Sequence, residues 1–221
     1  HQLYSTTTLE VKPITPLTVQ SRFTAGFESN EFDEFRKRVT EPGKTTNENY
    51  HNITHSNTNS WLWETTANYT QEFGKHIISA MAGFTMQYEK YKDYGVYTQG
   101  YAREDRHSTT FDNATNWSTN KPTENIWEES MTSIFGRIGY SWNDRYFVTG
   151  SLRRDASSKL YKDNNAGTFP AASASWKISS EPFFEKYRNV VNLLKIRGSY
   201  GEIGNVALVP RYSWNVPMGN T

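Results

Sequence analysis

His51 and His55 stand four residues apart, the spacing that on a helix would bring two imidazoles to one metal ion. The Asn, Thr and Ser residues around them are poor helix formers, and no glutamate completes a zinc motif, so both read as surface histidines. Glu128 and Glu129 are the nearest approach to an acid/base pair. On a strand, adjacent side chains point to opposite faces, so these two cannot flank one glycosidic bond. Asp163-Asn164-Asn165 with Gly167 offers oxygens without the ligand order of a calcium loop, and reads as a turn. The sequence holds no Gly-x-Ser-x-Gly elbow, phosphate loop or dinucleotide fingerprint. The expectation is therefore a protein that is not an enzyme, with no cofactor and no metal.

Two sets of residues suit binding instead. Tyr88, Tyr91, Tyr94, Tyr97 and Tyr101 recur at intervals of three or four, but Gly95 and Gly100 argue against a helix that would align them. With Trp117 and Trp127, placed like them in an outer loop, they could stack on sugar rings; a boundary girdle or loop self-packing is the preferred reading. Arg137, Arg153, Lys177, Lys195, Arg197 and Asp155 share the polar parity of neighbouring strands. They read either as a solvated, paired interior face, with Asp155 and Glu64 as partners, or as groups that grip a plug or steer a substrate.

Those strands are the elements that must position everything else. In Ile134-Phe135-Gly136-Arg137-Ile138-Gly139-Tyr140-Ser141-Trp142, the even positions are apolar and the odd ones polar or small, with Phe135 the bulky exception. Similar alternation predicts strands at about 3–12, 17–28, 60–70, 75–89, 145–155, 170–178 and 194–200, with a ninth beginning near Arg211. Asn143-Asp144 is a turn pair, and Pro182 opens one helical turn between the seventh and eighth strands. Long connections, 29–59 and 90–130, alternate with short ones such as 13–16 and 71–74. In an up-and-down barrel every second connection lies on the same rim, so one rim is short and the other elaborate, as in outer-membrane barrels. The predicted fold class is all-β, an antiparallel up-and-down transmembrane β-barrel segment of eight to nine strands.

Composition fits. The 221 residues are 35% hydrophobic and 15% aromatic, with seven Trp, fourteen Tyr, twelve Phe and no cysteine. No stretch has the roughly 20 apolar residues of a membrane helix, which is no argument against barrel strands. A formal net charge of +1 and no basic cluster speak against nucleic acid. Four Asn-x-Ser/Thr matches, at Asn52, Asn68, Asn113 and Asn116, are discounted in so Asn- and Thr-rich a chain. The opening His1-Gln2-Leu3-Tyr4 shows no signal peptide and reads as an excised piece.

Several blocks in order, 134–146, 151–158, Phe169-Pro170-Ala171-Ala172-Ser173-Ala174-Ser175-Trp176 and Leu194-Lys195-Ile196-Arg197-Gly198-Ser199-Tyr200-Gly201-Glu202-Ile203-Gly204-Asn205, resemble the SusC/RagA family of TonB-dependent outer-membrane transporters. The resemblance is dense from about Met131 to Asn205 and includes Phe73-Gly74-Lys75-His76 upstream; Ala156 stands where family members often have Gly. It implies that residues 1–221 are part of a 22-stranded barrel, without the plug domain. It further implies uptake of bulky glycan or peptide fragments across the bacterial outer membrane. The partners it implies are a SusD-like surface lipoprotein, the TonB complex acting through the plug, the lipid bilayer and an oligosaccharide or peptide ligand. The competing reading is a soluble carbohydrate-binding β-sandwich using exposed Trp and Tyr.

Overall fold

The computed structural model describes residues 1–44, 46, 48–105, 110–116, 121–206 and 208–211. Eight strands follow one another: β1 (Gln2–Ile14), β2 (Leu17–Arg36), β3 (Tyr50–Phe73), β4 (His76–Gln99), β5 (Thr123–Trp142), β6 (Tyr146–Ser157), β7 (Ala166–Lys177) and β8 (Lys195–Gly201). They form one sheet in sequence order, each strand beside the next, so the topology is up-and-down. The ninth strand expected near Arg211 falls largely on residues outside those described. Among the described residues no helix is long and apolar enough to cross a membrane, which says nothing of strands.

The strands at the long rim correct the sequence reading. β3 and β4 each run 24 residues, well past the 9–11 a tilted strand needs to cross a bilayer. The connections expected at 29–59 and 90–130 shrink to residues 37–49 and 100–122. Beyond the lipid neither face must be apolar, so alternation disappears from the sequence while the backbone ladder continues. Tyr94, Tyr97 and Trp127 therefore sit on β4 and β5, not in a loop.

Residues pack into two compact units, each described by itself. One comprises His1–Ser5, Ala25–Ser60 and Glu89–Glu128; the other comprises Thr6–Thr24, Trp61–Tyr88 and Glu129–Thr221. The first will be called the rim unit and the second the wall unit. Among the described residues only Tyr101, Ala114 and Phe184 are buried hydrophobics, whereas Ile138 is 66% and Ile196 59% exposed. A sandwich would have put such residues between two sheets. Here one face of a single sheet stays open.

The turn between β5 and β6 follows from its residues. Asn143 and Asp144 both take left-handed dihedrals, φ 51 and 52, and the Arg145 N–H donates to the Trp142 carbonyl at 2.9 Å. Two left-handed central residues make a primed turn, whose twist suits a hairpin. Pro170 lies within β7 opposite Leu152, and its carbonyl accepts the Glu202 N–H at the point where β8 ends. The N–H that proline lacks would point to the same side, toward the Glu202 carbonyl, so the β7–β8 ladder stops at this residue while the ladder to β6 loses nothing.

Candidate functional site

In the wall unit, strand register sorts side chains into two faces. Rows running Trp142–Tyr146–Trp176–Ile196, Tyr140–Val148–Ala174–Gly198 and Ile138–Gly150–Ala172–Tyr200 pair directly across β5 to β8. These rows hold the even residues and are apolar. Rings close the rows at two levels. Phe23, Trp61 and Tyr88 stack at 6.3 and 6.1 Å, and Trp142, Tyr146 and Trp176 at 5.6 and 6.2 Å. The second stack lies beside the short turn; in the first, Trp61 and Tyr88 lie at the middle of β3 and β4, and Phe23 in the turn-side half of β2. About ten residues of tilted strand climb the ~25 Å of an apolar band, which is the separation two aromatic girdles need.

The other face carries the six charged residues singled out in the sequence. Arg137 lies opposite Ser151, Arg153 opposite Phe135 and Phe169, Asp155 opposite Ser133 and Gly167, Arg197 opposite Ser175, and Lys177 opposite Lys195. Arg153 donates to Asp155 at 2.7 Å and to the Ser133 hydroxyl at 2.9 Å. Lys177 reaches Asp144 of the turn at 2.6 Å, which spaces it from Lys195. Two of the phenylalanines on this polar face are taken up. A side chain at Gly83 would meet the Phe135 ring at 2.7 Å, so the ring lies over a glycine, with the Arg153 guanidinium 5.4 Å from its centre. Lys195 sits 4.1 Å from the centre of Phe147.

In the rim unit the predicted aromatics do not form one platform. Intervals of three, which align on a helix, alternate faces on a strand. Tyr94 packs against His55 at 5.2 Å. Tyr97 packs against Tyr50 at 5.4 Å, and Trp127 stacks on Tyr91 at 5.2 Å. Tyr101 is 1% exposed and cannot meet a ligand. Trp117 lies outside the described residues. His51 pairs with Asp33 at 2.8 Å, not with His55, and among the described residues no cluster suits a metal ion.

What sequence reading missed here is the network that fixes the rim. Buried Asn49 donates to the Tyr101 carbonyl and to Glu104, both at 2.9 Å, and accepts the Tyr101 N–H at 2.7 Å. Glu104 also takes the backbone and side-chain N–H groups of Arg38, at 3.0 and 2.9 Å. Those bonds, the backbone N–H first, hold its carboxyl at about 2. The Tyr101 hydroxyl meets Thr98 at 2.6 Å, and burial pushes its phenol up. A groove of about 720 Å³ opens beside this network, lined by Asp33, Phe35, His51, Glu104 and Phe111 among others. No spacing rule links Asn49 to Glu104, so only the fold reveals the network.

A two-faced sheet with two aromatic levels and an open apolar face is barrel wall, and comparison with known proteins agrees. The family model described as "TonB dependent receptor-like, beta-barrel" matches residues 3–220. The chain belongs to that family. As a receptor barrel it is an outer-membrane protein of bacteria. It is 34% identical over 143 residues to TonB-dependent receptor P39 of Formosa agariphila, covering 62% of this chain and 13% of that protein. It is 38% identical over 103 residues to TonB-dependent receptor SusC of Bacteroides thetaiotaomicron, covering 42% of this chain and 10% of that one. The chain therefore spans a small fraction of the length of the curated relatives it matches. A solved structure of the RagAB peptide importer shares the fold, with a TM-score of 0.76 at 19% identity over 96% of this chain and 23% of that one.

Proposed function

We propose that this chain forms part of the barrel wall of a SusC/RagA-like importer that moves bulky glycan or peptide fragments across the outer membrane. The observation that carries the reading is the sheet's division into an exposed apolar face and a charged one, in a chain matched along its length by a receptor-barrel family. Its apolar rows hold lipid, and Arg137, Arg153, Asp155, Lys177, Lys195 and Arg197 line the water-filled side, where they meet the plug or the passing cargo. The wall is passive: it binds and guides, and performs no catalysis. Among the described residues β1 and β8 each pair on one side only, and open edges cannot stand in hydrocarbon, which supports a larger barrel built with further strands of the parent protein.

The cargo class is supported by the names of two relatives, SusC and the RagAB peptide importer, and by Tyr97 and Trp127, each part-exposed beside a second aromatic ring. A SusD-like surface lipoprotein would sit over the rim, and TonB would act through a plug domain outside this chain. The test is uptake. A strain lacking the full-length receptor should fail to accumulate labelled oligosaccharides or oligopeptides too large for porins, and complementation should restore uptake only when TonB is present. A null strain that takes up every such pool as the parent strain does would overturn the reading.

A further inference from the structure

The connection between β7 and β8, residues 178–194, stands apart from its neighbours. The other connections at that end of the strands are turns at residues 15–16, 74–75 and 143–145. This one holds two 3-10 turns, Ile178–Ser180 and Pro182–Tyr187. Glu181, buried between them, accepts the Tyr146 hydroxyl at 2.8 Å and the Trp176 indole N–H at 3.1 Å, and pairs with Arg145 at 3.1 Å. Tyr146 and Trp176 belong to the apolar rows. Leaving β7, the chain is thus pinned to the side of the sheet that carries its aromatic girdle.

The connection is folded, not slack. The Ser179 N–H donates to the Leu194 carbonyl, Arg188 donates to the Ser179 carbonyl, and the N–H groups of Val190 and Val191 converge on the Tyr187 carbonyl. Phe184 is its internal anchor, 8% exposed and 5.8 Å from the Tyr187 ring. What it turns outward includes large apolar side chains, Phe183 61%, Val190 86% and Leu193 64% exposed, beside the polar Glu185, Asn189 and Asn192. Lys186 and Arg188 share the stretch. A short turn in water would gain nothing from this composition. Aromatic, aliphatic and cationic side chains in one folded segment suit the layer where acyl chains meet head groups.

We propose that residues 182–193 are an in-plane anchor, seated in the phospholipid head-group layer on the short-turn side and continuous with the apolar face of the wall. Phe183, Val190 and Leu193 enter the acyl boundary, Lys186 and Arg188 meet phosphates, and Glu181 positions the segment by holding the girdle tips. The inference rests on the reading of the apolar face as the lipid face, and the experiment separates the two. Single cysteines replace Phe183, Val190, Ile138 or Ser173 in a cysteine-free form of the full-length receptor, each spin-labelled in nanodiscs of phosphatidylethanolamine and phosphatidylglycerol. Collision with oxygen reports lipid, and collision with a nickel chelate reports water. Labels at 183 and 190 should favour oxygen over nickel several-fold, as at 138, whereas the label at 173 favours nickel. Labels at 183 and 190 that meet nickel as often as 173 does, or that meet neither reagent, overturn the anchor while 138 stays in lipid. A label at 138 that favours nickel overturns the wall reading instead.

Discussion

Glu104 is held as a carboxylate at about 2 by the N–H groups of Arg38 and by Asn49, against an ordinary value of 4.5. A carboxyl with a depressed folded value binds protons more readily when its loop is undone. Its contribution is therefore present above about pH 4.5 and lost as pH falls toward 2. Amide exchange at Arg38 and Tyr101, corrected for intrinsic rates, should accelerate over that interval, and Glu104→Gln should abolish the acid step while raising exchange at neutral pH. A second residue-scale pairing is Phe135 over Gly83. Gly83→Val forces the ring aside and should lower the unfolding free energy of the full-length receptor by about 1–3 kcal/mol, read from its urea unfolding curve, as overpacking does. Phe135→Ala in the same background should recover part of that loss, because the two changes share one site. Phe135 broke the alternation in the sequence, and its reason lay one strand away.

At the scale of elements, the hairpin of β5 and β6 depends on two left-handed residues at its turn. Val at both Asn143 and Asp144 puts β-branched side chains where φ is positive, at about 1–2 kcal/mol per residue. Folding of the full-length receptor into lipid vesicles, followed by the heat-modifiable gel band, should slow or fall in yield. The same change at Ser158, in a connection on the opposite rim, should not matter as much. Strand existence was legible wherever lipid imposed a period of two, as in β5 to β8. Strand length was not, because β3 and β4 continue where both faces are wet, β3 with Asn, Thr and His spread over both parities and β4 with Tyr on either parity. The tyrosine run shows the same limit. Its intervals were visible, but only the strand assignment sends Tyr94 and Tyr97 to different partners, His55 and Tyr50.

For the whole molecule, the two faces set what a charge costs. Ile138 lies on the apolar face two rows in from the girdle residue Trp142, and Trp176 in the girdle itself. Ile138→Arg should destabilise the assembled receptor by roughly 2–4 kcal/mol, the cost at the bilayer midplane. Trp176→Asp should also impair outer-membrane assembly, partly through depth and partly because Glu181 loses the indole N–H it accepts. Ser173→Arg, on the polar face, should assemble normally. Quantifying folded receptor in outer-membrane fractions checks all three, and an Ile138→Arg protein that assembles like the Ser173→Arg one would contradict the assignment of faces.

The sequence by itself determined the class of this protein, because a wall between lipid and water must alternate and leaves that period in every spanning strand. It also located the primed turn at Asn143-Asp144, the charged face and the family blocks from Met131 to Asn205. Tertiary structure alone decided the rim network of Asn49, Tyr101 and Glu104, the ring over Gly83 and the clasp of Glu181 on Tyr146 and Trp176. Those contacts join residues that share no period and lie on different strands or connections. Register and loop path bring them together, and neither is written in local alternation.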